Sequence, residues 1–186
     1  MLGEVPFHVL CTAEANRKLE RQIQEIILTK LFAEKLRLEQ STYRKNLPLF
    51  KKKTNSVDVL QIIVEGRLPL SEIAEKAGIL CGYEIGHLDK PEYGHFAGKP
   101  PYVVHLRIGN GQLKKGEREA TLLDGIGLVI MHPEKIEINS FLVCADSKMG
   151  AGYLAAIRRV ETGTEVFYAS KQDIGSPKFQ RLIRVK

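Results

Sequence analysis

The sequence predicts an α+β fold, with N-terminal helices, a mixed and largely antiparallel sheet, and one central helix. Three observations carry that expectation. Apolar residues recur at helical spacing from Thr12 to Leu38. The runs VDVLQIIV, YVVHLRI, FLVCA, YLAAIRRV and EVFYAS are rich in β-branched and aromatic residues and are bounded by turn residues. Between these groups lies TLLDGIGLVIMHPEK, an apolar run with its own start and stop signals. With 186 residues, 44% hydrophobic and 27% charged, the chain can bury a core. It reads as a single domain over residues 1–186, with a helical part (1–50) and a sheet-containing part (57–186).

Taken in order, the first helix places Leu19, Ile23, Ile26, Ile27 and Leu31 on one face and Lys18, Arg21, Gln22 and Glu25 on the other, with Thr12 as its cap and a break near Thr29. A shorter helix runs from Ser41 to just before Pro48, and FKKKTNS is a surface connection into the strand VDVLQIIV. PLSEIAEK reads as a short helix capped by Ser71 and closed by Gly78, and ILCGYEI as a strand, a βαβ-like order. GHLDKPEYGHFAGKPP is a loop, YVVHLRI a strand and GNGQLKKGERE a polar turn. FLVCA, YLAAIRRV and EVFYAS form an antiparallel meander, the last two joined through the turn ETGT.

The central run carries the sharpest local signals. Thr121 and Asp124 have capping-box spacing, so a helix starts at Leu122, with Leu122, Ile126, Val129 and Ile130 sharing a face, and Pro133 ends it. A strand over Ile126–Met131 is the competing reading. Each glycine inside a helix costs about 1 kcal/mol against alanine, so Gly125 and Gly127 need a reason. Close helix–sheet packing is the favoured one. The functional alternative is an anionic ligand approaching the helix N-terminus, against which Asp124 would set a like charge.

The order PPYVVHLRIGNG, TLLDGIGLVIMHPE, FLVCADSKMGAGYLAAI, with the opening helix LERQIQEIILTKLF, resembles an uncharacterised bacterial family, a domain of unknown function. Its members carry an acidic-Gly-Ile-Ala-Leu run ending in His-Pro-Glu. This chain departs from that pattern in having Gly127 at the usual alanine and Ala-Asp-Ser-Lys after the next strand. The resemblance implies one coherent unit and no mechanism.

Function is less legible. The net charge is +6, gathered at Lys51, Lys52 and Lys53 and in a tail where Lys171, Lys178, Arg181, Arg184 and Lys186 meet one Asp173. These allow a nucleic-acid partner. Tryptophan is absent and aromatics are only 7%, so the stacking residues that usually accompany such a surface are scarce. Cys11, Cys81 and Cys144 are odd in number and far apart, which fits buried thiols in a reducing, cytoplasmic setting. The opening MLGEVPFHVLC lacks the build of a secretory signal, and no apolar stretch approaches the roughly 20 residues that cross a bilayer.

Candidate sites are weighed on chemistry. Asp146-Ser147-Lys148 at a strand end suits a metal-dependent nuclease, with Glu134, Glu137 or Asp124 as the second acid. A histidine site would gather Cys81, His87 and His95 with Glu84 or Asp89, though their spacing matches no zinc arrangement. His132, beside Pro133, suits an interaction with helix-terminal carbonyls better than a role as base. The loop holding His87, Tyr93, His95 and Phe96 suits a recognition element. No metal or cofactor signature emerges. The leading expectation is a non-enzymatic protein that binds a partner or small ligand. The alternative is a basic nucleic-acid binder, a nuclease in its enzymatic version, and pairing of the long first helix would make a homo-oligomer.

Overall fold

The computed structural model describes residues 29–41, 58–81, 88–89, 101–148 and 152–185, Lys148 and Asp173 by their backbone alone. Eight strands form one mixed sheet: β1 (Leu60–Val64), β2 (Ile79–Cys81), β3 (Tyr102–Gly109), β4 (Arg118–Glu119), β5 (Phe141–Lys148), β6 (Tyr153–Val160), β7 (Gly163–Ser170) and β8 (Phe179–Val185). Their spatial order is β1-β3-β8-β5-β6-β7-β2, and β4 pairs with β8. Helices α1 (Leu70–Ala77) and α2 (Leu122–Met131) accompany them. The α+β expectation holds, as does the antiparallel meander, here β5-β6-β7. The sheet is mixed because β5 runs parallel to β8 and β7 parallel to β2.

Helix α2 begins as its sequence dictates. Thr121 Oγ1 accepts from the Asp124 N–H at 3.3 Å, and Asp124 Oδ2 accepts from the Thr121 N–H at 2.9 Å, a complete capping box. It ends at Met131, and Pro133 opens a 3-10 turn over Pro133–Lys135. The one-faced apolar pattern does not hold, because all ten residues of α2 are buried. A helix apolar all round belongs in the middle of a core.

The two glycines show how it gets there. A Cβ on Gly125 would lie 2.6 Å from Ile157 Cδ1 and 2.7 Å from Cys144 Sγ, on strands β6 and β5. A Cβ on Gly127, about 200° further round the helix, would lie 2.6 Å from the Ile63 carbonyl oxygen on β1. Opposite sides of one helix therefore touch strands that stand apart in the sheet order, so the sheet curls around α2. Ile63 also donates its N–H to Met131 Sδ at 2.9 Å. The helix thus covers the backbone edge that β1 turns away from β3, an edge that would otherwise be free to pair.

Several expectations are corrected. The helical stretch 29–36 buries Thr29, Phe32, Ala33 and Leu36, a clean i, i+3, i+4, i+7 stripe. Leu31, expected on the apolar face, is 47% exposed. That helix stops at Leu36, short of Leu38, where Arg37 turns left-handed with φ 53°. Ser71 does not cap α1: Pro69 holds the cap position, and Ser71 donates N–H and Oγ–H to Asp89 at 3.0 and 2.5 Å. Gly78 closes α1 in the left-handed conformation, φ 70°, as expected. The β1-α1-β2 order is not a local βαβ unit, since β1 and β2 lie at opposite ends of the strand order. Strand β8, read from sequence only as a basic tail, sits near the middle of the sheet between β3 and β5. Residues 12–28 of the first expected helix and 42–47 of the second lie outside the described residues.

Candidate functional site

The chemistry-bearing side chains gather at the N-terminal end of α2. Asp124 is 0% exposed, a charge that the interior tolerates only if it is paired. Its Oδ2 takes the Thr121 N–H, and its Oδ1 pairs with Arg184 Nη2 from β8. Arg184 Nη2 also donates to the Tyr102 hydroxyl at 3.3 Å, and the guanidinium carbon lies 5.5 Å from the centre of the Tyr102 ring. Burial opposes the charge on Arg184, but Asp124 and Tyr102 outweigh it and hold its pKa above the ordinary value. Burial and Asp124 raise the Tyr102 phenol against the pull of Arg184 and Arg118.

Strand register brings in the second arginine. Arg118 on β4 lies directly opposite Arg184 on β8, and residues so paired project from the same face. Glu117 and Glu119, on either side of Arg118, go to the other face by alternation. There Glu117 pairs with Arg107 at 2.6 Å and Glu119 pairs with Arg181. Gly116, Arg118, Arg184 and Val185 line a cavity of about 330 Å³. Gly116, at φ 91° in the turn before β4, takes a backbone conformation open mainly to glycine.

Other predicted site residues are placed differently. Asp146, Ser147 and Lys148 are the last three residues of β5, where the pairing with β6 shifts register between Cys144 and Lys148. The bulge turns Ser147 inward, fully buried, and its Oγ accepts from the Leu122 N–H of α2 at 2.8 Å. Asp146 is exposed, with its backbone N–H on the Ala120 carbonyl at 3.2 Å. Glu134 is exposed and stands 3.4 Å from His132 Nδ1, so the His132 ring meets a carboxylate rather than a terminal carbonyl. Arg159 instead donates to the Pro133 carbonyl, at 2.9 Å. Glu137 is exposed. Among the described residues no group of three or more His, Cys, Asp or Glu is placed to hold a metal ion.

Gly125 and Gly127 face protein, not a ligand space, and the Leu122 and Asp124 N–H groups of α2 are taken up by Ser147 and Thr121. Arg181 and Arg184 both spend charge on internal carboxylates. His87, Tyr93, His95, Phe96, Glu84, Cys11, Lys51, Lys52 and Lys53 lie outside the described residues. Cys144 and Cys81 are free thiols. Burial, helped by Asp124, raises the pKa of Cys144, and burial pushes Cys81 up to about 11.

Sequence reading missed Arg118 and Tyr102. A usable signal was present in Glu117-Arg118-Glu119, where period-two alternation isolates one cation from its acidic neighbours. Compared with protein-family models, curated proteins and solved structures, the chain matches none. Among the described residues, no helix is long and apolar enough to cross a membrane.

Proposed function

We propose that the protein is a non-enzymatic binder of a small ligand, and that the ligand occupies the cavity between Arg118 and Arg184. The observation that carries this reading is that those arginines, cross-strand partners on β4 and β8, both line a cavity of about 330 Å³. That volume falls at the lower end of small-molecule sites, about 300–1,000 Å³. The buried Asp124 fixes Arg184 from behind, and the capping box fixes Asp124, so the site stands on rigid elements.

The nucleic-acid alternative draws less support, because Arg181 and Arg184 are engaged by Glu119 and Asp124. A reducing, cytoplasmic location agrees with free thiols at Cys81 and Cys144. Self-association through the first helix agrees with the exposure of Leu31, and sedimentation over a concentration series tests it.

Native mass spectrometry of gently purified full-length protein tests the ligand reading. Wild type is expected to retain a small molecule that Arg118→Glu releases. A bare wild-type chain that also shows no saturable binding to any compound of a small-fragment collection refutes it.

A further inference from the structure

Two cations line this cavity, and one of them meets the buried Asp124 carboxylate. Arg118 and Arg184 are direct cross-strand partners, and like charges in that relation repel. Asp124 neutralises one of them, with Oδ1 on Arg184 and Oδ2 on the Thr121 N–H. The nearby acids are spent elsewhere, Glu117 on Arg107 and Glu119 on Arg181. Arg118 is exposed and forms no ion pair among the described residues. A cavity lined by two guanidinium groups, of which only Arg184 meets a carboxylate, complements an acceptor that carries negative charge.

We infer that the occupant is an oxyanion, a carboxylate or phosphate group on a small molecule, held between the guanidinium groups of Arg118 and Arg184. This rests on the reading of the cavity as a ligand site. The bound group relieves the repulsion between the two arginines. Guanidinium forks match the paired oxygens of either group.

The test titrates the full chain at low ionic strength with inorganic phosphate and, separately, with acetate, against sodium chloride at equal ionic strength, and reads the melting temperature. At least one oxyanion is expected to give a saturable rise that chloride does not reproduce, and the tighter of the two identifies the source. Arg118→Gln is expected to weaken that response at least tenfold while leaving the anion-free melting temperature no lower than wild type, because one of the two repelling charges is gone. Arg118→Lys should keep part of the response, and Lys171→Gln, an exposed charge elsewhere, all of it. No saturable response to either anion overturns the inference, as does equal weakening by Lys171→Gln or an undiminished response in Arg118→Gln. If the anions fail while native mass spectrometry shows a neutral or cationic molecule retained by wild type and released by Arg118→Glu, the cavity remains a ligand site and only the oxyanion falls. If nothing is retained and no fragment binds saturably, both fall.

Discussion

Replacing Gly127 by alanine tests the packing of α2 against β1. In an exposed helix the change stabilises by about 1 kcal/mol, since alanine loses less backbone freedom on folding. Here the new methyl would stand 2.6 Å from the Ile63 carbonyl oxygen, whereas ordinary carbon–oxygen contacts begin near ~3.3 Å. The helix or β1 must retreat by about 0.7 Å, the difference between those distances. The obstacle is backbone, so no side-chain rotation relieves it. Ile63 is held in register opposite Val103 and by its N–H bond to Met131 Sδ. Overpacking of this kind costs about 1–3 kcal/mol and reaches higher values where the surroundings are stiff. Against stiff backbone the upper part of that range applies, about 2–3 kcal/mol, and after the alanine gain of about 1 kcal/mol a net loss of about 1–2 kcal/mol is expected, which lowers the melting temperature by about 2–8 °C for a domain of this size. Gly125→Ala meets the ends of the Ile157 and Cys144 side chains instead and should lose less. Urea denaturation followed by circular dichroism measures both. Gly127→Ala at or above wild-type stability, or a larger loss for Gly125→Ala, would refute the account of a helix clamped against β1 backbone.

Asp124→Ala removes the fully buried partner of an ion pair and half the capping box, so urea titration should show a loss of about 3–5 kcal/mol. Ser147→Ala leaves the Leu122 N–H without its acceptor and should cost about 1–3 kcal/mol; a stability equal to wild type would mean that the bulge in β5 does not serve the helix. Arg107 and the Lys114 N–H hold the Glu117 carboxyl down from 4.5 to about 2. Because its folded pKa is the lower one, its stabilising contribution is present above pH 4.5 and fades as pH falls towards 2. The stability gap between wild type and Glu117→Gln should therefore narrow over that window, and a gap independent of pH would contradict the pairing. With burial raising the Cys144 pKa, a short iodoacetamide pulse at neutral pH should leave Cys144 unlabelled in the native protein and labelled in urea, read by peptide mass spectrometry.

The local elements of this fold were written in short stretches of chain. Thr121 with Asp124 starts α2, His132-Pro133 stops it, and Gly78 closes α1, because each signal satisfies or blocks backbone groups within about four residues of itself. The meander β5-β6-β7 was legible for the same reason, as alternation and a tight turn are both local. Burial phase was harder. Leu31 and Phe32 are equally apolar, and only the surface packed against them decides that Phe32 is buried and Leu31 exposed.

The candidate site was legible only in fragments. Asp124 and Arg184 were each noticed, one as an acid and one as a tail cation, but they stand 60 residues apart in the chain. Nothing in either neighbourhood specifies the other. Their meeting follows from β8 entering the sheet between β3 and β5, with β4 alongside it. The same strand order sets Arg118 opposite Arg184 and presses Gly125 and Gly127 against different strands. The sequence by itself determined the fold class, the central helix with its caps, and the need for close contact at two glycines. Tertiary structure alone decided which strands make that contact and which charges share a cavity, since strand order is settled by the burial of the whole apolar surface and has no signature within a few residues.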